Sequence, residues 1–560
     1  MTAIATARFG AAMVLTLAPI GGDSAATGQP AGAPLIDILI TPDKISEADN
    51  RGAVAIQLTV PDLDVAAGGQ LLSLGTAVPG AGRPQPVADL AASDAKGPIP
   101  LTNAGEGEWT TARAVTGRVV VRYRLPLENV APVSGGPPIN LRIDGDGFSV
   151  QGMGLVMTTP LKDDHRIAIR WNLAAMGQGA EGVTSYGDGD VELPAGTIGR
   201  IADTVFMAGH VQRVTHGAFS AVWTGTPPFD PRPAMDWTAK LHRWMSGYFG
   251  DVAEPPYRVF LRQNPMNAGG GAAFPHSFLV TWGNGVTGDS LRSILGHEMT
   301  HTWTANAIGN WYNEGNAVFY QSLLAWRAGL IGPDEYLNDL NQTASRYFTN
   351  PMKNTPEAEV QPRFWEDTRI RVLPYDRGAM YFAVLNGEIR RASAGKRSVD
   401  DLIKVMVKRD RAGEPITEAV WLDLLRAELG EQGPAITRAM LDGGLMLPRS
   451  EDFGPCFRRT VKQIRMFDLG FDPKSIVSSD KIVAGLKPES EAYKAGLRDG
   501  DRIRYGVSMD SVQGDVTRTL DFQVTRGGKT FPLTYLPRGR AVAAYQWERV
   551  PGVSAAECKL

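Results

Sequence analysis

The chain has 560 residues, 43% of them hydrophobic, and its 57 basic and 60 acidic side chains leave a formal net charge of -3. That length and apolar content suffice for several separate cores, about three or four domains by length alone. So even a charge balance leaves no basic footprint, and nucleic acid is not an expected partner.

Residues 1–26 read as a signal peptide: Arg8 precedes the apolar run Phe9 to Ile20, and Ser24-Ala25-Ala26 offers small residues where a signal peptidase would cut. An uncleaved anchor is the rival reading, but a span needs about 20 apolar residues and this run falls well short of that. No later stretch is long and apolar enough to cross a bilayer, so the mature chain is expected to have no transmembrane span. The expected localisation is exported, periplasmic or secreted. Export suits the two cysteines, Cys456 and Cys558, which in an oxidising compartment can bridge the ends of the C-terminal region. Two unpaired thiols are the alternative, and the spacing does not suit zinc.

From 35 to 230 the pattern predicts an N-terminal β domain, a sandwich or saddle of strands. Short alternating runs, Ile36 to Ile40, Val54 to Val60, Val119 to Tyr123, Asn140 to Ile143, Ile167 to Trp171 and Thr204 to Met207, are separated by Gly, Pro and Asp clusters. No motif here carries chemistry, and His165, His210 and His216 are expected to be satisfied or exposed rather than metal-bound. Helical periodicity starts near Trp237, with Leu241, Trp244 and Met245 on one face, and Arg258 to Leu261 reads as a strand. A glycine-rich stretch, Gly269 to Phe278, follows.

The segment 287 to 320 holds the chemistry. His297 and His301 stand four apart, so on a helix both imidazoles leave one face about 6 Å apart, which suits one small divalent cation. Glu298 is turned about 100° from His297 and can reach a water beside the metal without becoming a ligand, the H-E-x-x-H arrangement of zinc peptidases. Leu291, Ile294, Leu295 and Met299 supply an apolar stripe, Asp289 or Thr287 can cap the start, and Gly309 suits the end. A catalytic zinc takes three protein ligands and keeps a fourth position open. Glu314, in Trp311-Tyr312-Asn313-Glu314-Gly315, is the candidate third ligand, opening a second helix through Phe319, Leu323, Leu324 and Trp326 towards Gly332-Pro333. A glutamate at a helix start is also what the macrodipole favours.

HEMTHTW followed by WYNEG resembles the glutamate-zincin peptidases, and the flanking sequence is similar to the glycyl aminopeptidase family, relatives of the aminopeptidase N group. Those families have a longer connection than the Thr302 to Asn313 segment found here, which leaves Glu335 as a reserve ligand. The resemblance implies a mainly helical, thermolysin-like catalytic domain over 235–450 holding one Zn2+ ion through His297, His301 and Glu314. Glu298 would be the general base. Pro374-Tyr375-Asp376-Arg377-Gly378-Ala379-Met380 resembles the family segment whose tyrosine donates to the oxyanion, which makes Tyr375 the second catalytic residue, and Ile389-Arg390-Arg391 and Gly395 to Leu402 also look like the glycyl aminopeptidases. The stretch Gly269 to Phe278 resembles the family's edge strand lining the cleft, but Pro275 stands where a glutamate is expected to hold a substrate's free amine.

Helical spacing continues from 380 to 450, with Ala383, Leu385 and Ile389 and later Leu402, Val405 and Met406 at core positions. Residues 456–560 then resemble a bacterial PDZ domain with a C-terminal tail: Lys481 to Leu486 as a strand, Ser490 to Gly496 as a short helix, and Gly500-Asp501 turning into the next strand. Leu469-Gly470-Phe471 would be the loop that captures a peptide C-terminus, although such a groove can be filled by the protein itself. The whole therefore reads as a multidomain α+β zinc metallopeptidase acting on peptide or protein substrates, an exported aminopeptidase with a possible PDZ peptide ligand. A zinc endopeptidase and an inactive PDZ peptide-binding scaffold are the alternatives.

Overall fold

The computed structural model describes residues 32–76, 84–130, 139–264, 268–554 and 557–558. The signal-peptide reading of residues 1–26 lies outside them. The molecule is multidomain α+β, with β sheets at the N-terminal end, a helical middle and small sheets at the C-terminal end.

Alternation in the first predicted strand becomes a pleat: in Leu35–Pro42 the side chains of Ile36, Ile38 and Ile40 are buried and those between them are not. This strand lies inside a seven-stranded sheet, antiparallel to Gly52–Val65 and parallel to His165–Trp171. A second sheet of five strands contains Gly147–Gln151 and Val205–Gly209, and its Phe148, Val150 and Phe206 share one core with Ile36, Leu58 and Val121 of the first. Two sheets closing on one apolar layer is the sandwich the alternation predicts. His165, His210 and His216 pair with Asp62, Asp146 and Asp236, so each is satisfied by a carboxylate.

The site rests on a third sheet of five strands, ordered Gln212–His216, Phe219–Trp223, Tyr257–Gln263, Ser277–Trp282 and Gly271–Phe274. Phe219–Trp223 and Tyr257–Gln263 run parallel, which requires a crossover, and the helix Arg232–Tyr248 predicted from Trp237 onward makes it. Gly271–Phe274 is the edge strand, joined to Ser277–Trp282 by the turn Pro275-His276. Proline pre-sets the first turn position and His276 takes a φ of 50° at the second, the pattern of a type II turn.

Ten helices of the middle region then follow, from Arg292–Thr304 to Gln432–Leu441. Two expectations need correction here. The helix after Glu314 does not run on to Gly332: it spans Asn310–Tyr320, breaks at Gln321-Ser322 and resumes as Leu323–Arg327, and Pro333 starts the next helix at a position where its missing N–H costs nothing. Val405 is also not a core residue, being 38% exposed between the buried Leu402 and Met406.

The C-terminal module is a long antiparallel ribbon, Phe457–Phe467 with Arg538–Arg549, carrying a three-stranded sheet and three short helices between its arms. The predicted helix appears as Glu491–Lys494 followed by Gly496 at φ 107°, and Arg502–Arg504 follows the turn. Lys481 to Leu486 is not a strand: only Ile482 bridges to Arg502, because the backbone N–H of Asp472 reaches Ala484 and diverts the segment from a ladder. A disulfide joins Cys456 to Cys558, and both cysteines are packed in the same core as the middle helices. Trp547 fixes the ribbon's return arm there, its backbone N–H donating to Asn341 Oδ1 at 2.8 Å and its carbonyl accepting from Asn341 Nδ2 at 2.8 Å. Among the described residues no helix is long and apolar enough to cross a membrane.

Candidate active site

His297 and His301 leave one face of the helix Arg292–Thr304, their rings 5.0 Å apart between centroids. Neither Thr287 nor Asp289 caps this helix, which has no side-chain cap; Thr287 instead braces the short 3-10 turn Asp289–Leu291 that leads into it. Thr287 N–H donates to Ser290 Oγ at 2.9 Å and Ser290 N–H to Thr287 Oγ1 at 3.3 Å, while Asp289 pairs with Arg292. Gly309 likewise does not end this helix, which stops at Thr304; it precedes the next one with a φ of 146°. The short connection is closed by Asn313, whose Nδ2 donates to the Asn306 carbonyl at 2.8 Å while its Oδ1 accepts the Asn306 N–H at 3.1 Å.

That closure brings Glu314 back to the histidines. Its Oε2 lies 3.2 Å from His297 Nε2 and 3.6 Å from His301 Nε2. Burial pushes the Glu314 carboxyl up, but the two imidazoles outweigh it and hold it well below the usual carboxylate range. Glu335 is not at the site; it pairs with Arg292 at 3.3 Å. One ligand atom each from His297, Glu298 and His301 also lies within 4.8 Å of the others, and all three side chains are buried.

Do these residues fit zinc? Ligands at about 2.0 to 2.2 Å in a tetrahedral arrangement stand about 3.3 Å apart, close to the separations of Glu314 Oε2 from both Nε2 atoms. Two imidazole nitrogens and one ionised carboxylate are a zinc donor set. His297 Nδ1 lies 3.3 Å from Gln321 Oε1, and Gln321 Nε2 donates to Asp339 at 2.8 and 3.0 Å. With its amide nitrogen committed to Asp339, Gln321 presents its oxygen to Nδ1–H, which leaves Nε2 as the lone pair facing Glu314. The residues fit.

Glu298 is buried beside this set, on the helix that packs against the edge strand Gly271–Phe274. Burial raises its pKa, opposed by the neighbouring imidazoles. Tyr375 occupies the first turn of Leu373–Ala392, its ring 5.9 Å from that of His297 and inclined by only 18°. Burial, with the charges of Glu314 and Glu298, pushes its phenol well above the usual value, so it stays protonated and able to donate.

Three glycines make the assembly possible. A Cβ on Gly315 would stand 2.5 Å from Gly378 Cα, and one on Gly378 would stand 2.6 Å from Gly315 Cα, so the helices bearing Glu314 and Tyr375 cross backbone to backbone. A Cβ on Gly296 would stand 2.2 Å from the Gln321 carbonyl oxygen. Both contacts, and the Gln321–Asp339 support, escape sequence reasoning, whose only trace of them is a glycine inside a helical pattern.

Residues 307–366 match the M61 glycyl aminopeptidase family profile. With the H-E-x-x-H cluster it sets the enzyme class: the chain is a zinc metallopeptidase. The matched stretch contains Glu314 and stops short of Tyr375. No curated protein matches the chain in sequence. Among solved structures it is similar to an aminopeptidase N family protein from Idiomarina loihiensis, 15% identical over 92% of this chain and 98% of that one with a TM-score of 0.66, which shows a shared fold. It also matches a mutant M1 zinc metallopeptidase from Deinococcus radiodurans bound to a Tyr-Ser-Ala substrate, 15% identical over 74% of this chain and 95% of that one with a TM-score of 0.47.

Proposed function

We propose that the protein is an exported aminopeptidase, with His297, His301 and Glu314 as zinc ligands, Glu298 as general base and Tyr375 as oxyanion donor. The observation that carries the ligand set is the place of Glu314 Oε2, within 3.6 Å of both histidine Nε2 atoms. Zinc, when bound, supplies a Lewis acid and lowers the pKa of water. Glu298, its carboxyl raised by burial, takes the proton of the attacking water and returns it to the leaving amine. Tyr375 donates its phenolic hydrogen bond to the oxygen on which negative charge develops.

The match to the glycyl aminopeptidase profile supports exopeptidase action. One observation favours the endopeptidase alternative: Pro275 holds a turn position on the edge strand where the family resemblance calls for an amine-binding glutamate. A panel of peptides with free and acetylated N-termini separates the two. Cleavage of the free forms alone, one residue at a time, is the expected outcome; equal cleavage of blocked peptides would establish the endopeptidase. An inactive scaffold predicts neither, and the buried Glu298 speaks against it.

For residues 456–560 we propose a PDZ domain. Its support is the loop Leu469-Gly470-Phe471 beside a cleft of about 220 Å³ that Arg369 of the middle region also lines. In that loop Gly470 N–H already donates to Asp468 Oδ1 at 2.9 Å, so the protein itself engages one of the groups a peptide carboxylate would use. Export finds support in the disulfide, which persists in oxidising compartments.

A further inference from the structure

We propose that Asp510 is a positioning residue for Tyr375, which makes the C-terminal module part of the peptidase site; this rests on the reading of Tyr375 as oxyanion donor. Tyr375 sits in the first turn of Leu373–Ala392, immediately after the short helix Thr368–Arg371. Among the ion pairs at this corner of the chain, two come from opposite sides. Arg346, from the helix Pro333–Phe348, donates Nε to both oxygens of Asp376 at 2.9 and 2.7 Å. Arg371 donates Nε to Asp510 Oδ2 at 3.0 Å and Nη2 to Asp510 Oδ1 at 2.7 Å, across 139 positions of sequence. Thr368 Oγ1 donates to the same carboxylate.

The first pair lies within the middle region, whereas the second crosses from the C-terminal module. Asp510 stands near the start of the helix Met509–Gly514, and the far end of that helix is fixed by the buried Arg538, whose Nη2 donates to the carbonyls of Val512 at 2.6 Å and Asp515 at 2.5 Å. A two-point bond to a planar guanidinium fixes direction as well as distance. The path from Arg538 through Met509–Gly514 and Asp510 to Arg371 thus ends four residues before the ring that stacks on His297. The Arg371 side chain is 18% exposed, and the Trp365 ring 5.6 Å away carries no anion. Without Asp510 a mostly buried guanidinium loses its carboxylate, and the corner is left to the Arg346–Asp376 and Arg377–Glu357 pairs, both within the middle region.

The decisive variant is Asp510→Asn, which keeps the size and removes the charge. In metal-free protein, hydrogen exchange over 368–380 should quicken relative to wild type while exchange over 292–304 stays the same. In zinc-loaded protein kcat should fall about tenfold or more with KM little changed, the cost expected of a catalytic donor moved off its line. In a Tyr375→Phe background the same change should alter kcat by less than about twofold, because the phenol through which Asp510 acts is gone. Thr368→Val, which spares the ion pair, should shift exchange in the same direction by less. Unchanged exchange over 368–380, or an equal loss of kcat with and without the Tyr375 phenol, would overturn the proposal. A wild type that hydrolyses no peptide would refute the peptidase reading, and the exchange measurement would still decide whether Asp510 holds this corner.

Discussion

The zinc-facing helices and the C-terminal module reach the same helix, Leu373–Ala392, by opposite means. On the zinc side the approach is through absence of side chains: Gly315 and Gly378 meet backbone to backbone and bring Glu314 and Tyr375 together. From the C-terminal side it is through charge, with Asp510 taking Arg371 in a fork just before the helix begins. The first contact joins segments 63 positions apart, each carrying its own motif. The second joins residues 139 positions apart and has no motif. A glycine crossing tolerates almost no adjustment, because an added methyl meets backbone, whereas an ion pair can be lost without a clash.

Glu314→Ala should produce the largest effect on the zinc side. It removes the carboxylate whose Oε2 lies within 3.6 Å of both Nε2 atoms, so zinc binding should weaken strongly and hydrolysis disappear, as measured by metal content after dialysis and by peptide cleavage. Retention of stoichiometric zinc with full activity would show that another acid completes the set. On the C-terminal side the corresponding break is the disulfide. Reducing Cys456–Cys558, which closes a loop of 102 positions, should lower stability by up to about 4 to 5 kcal/mol in the chain-entropy model while leaving the zinc donor set intact. Thiol titration of the denatured, unreduced protein should find no free group; two would remove the bond from the account.

The same contrast explains what was legible in the sequence. The alternating runs gave strands in place because one face of each is buried, as Ile36, Ile38 and Ile40 show. His297, Glu298 and His301 were readable because one helix turn fixes their relation, and Glu314 because Trp311, Asn313 and Gly315 frame it. What the spacing alone left open was whether the short connection lets Glu314 return; the answer lies in the paired bonds of Asn313 to Asn306. Gln321 and Asp339 carried no signal, since their role exists only once the chain breaks after Tyr320 and turns the Gln321 amide toward His297. Asp510 was equally silent, an exposed-looking acid in Met509-Asp510-Ser511 whose partner lies in a different sheet-and-helix unit. Val405 shows the converse error: helical spacing marks a stripe, but its edge faces solvent where no neighbouring element covers it.

In the proposed mechanism Glu298 moves the proton while other residues hold the metal, and Glu298→Gln tests that division most directly. The amide keeps the size of the carboxylate and loses its basicity. Zinc content by elemental analysis should match wild type, and kcat for a cleaved peptide should fall about a hundredfold or more. Wild-type turnover with zinc bound would contradict the account, as would loss of the metal on this substitution, since Glu298 would then be a ligand and not the base.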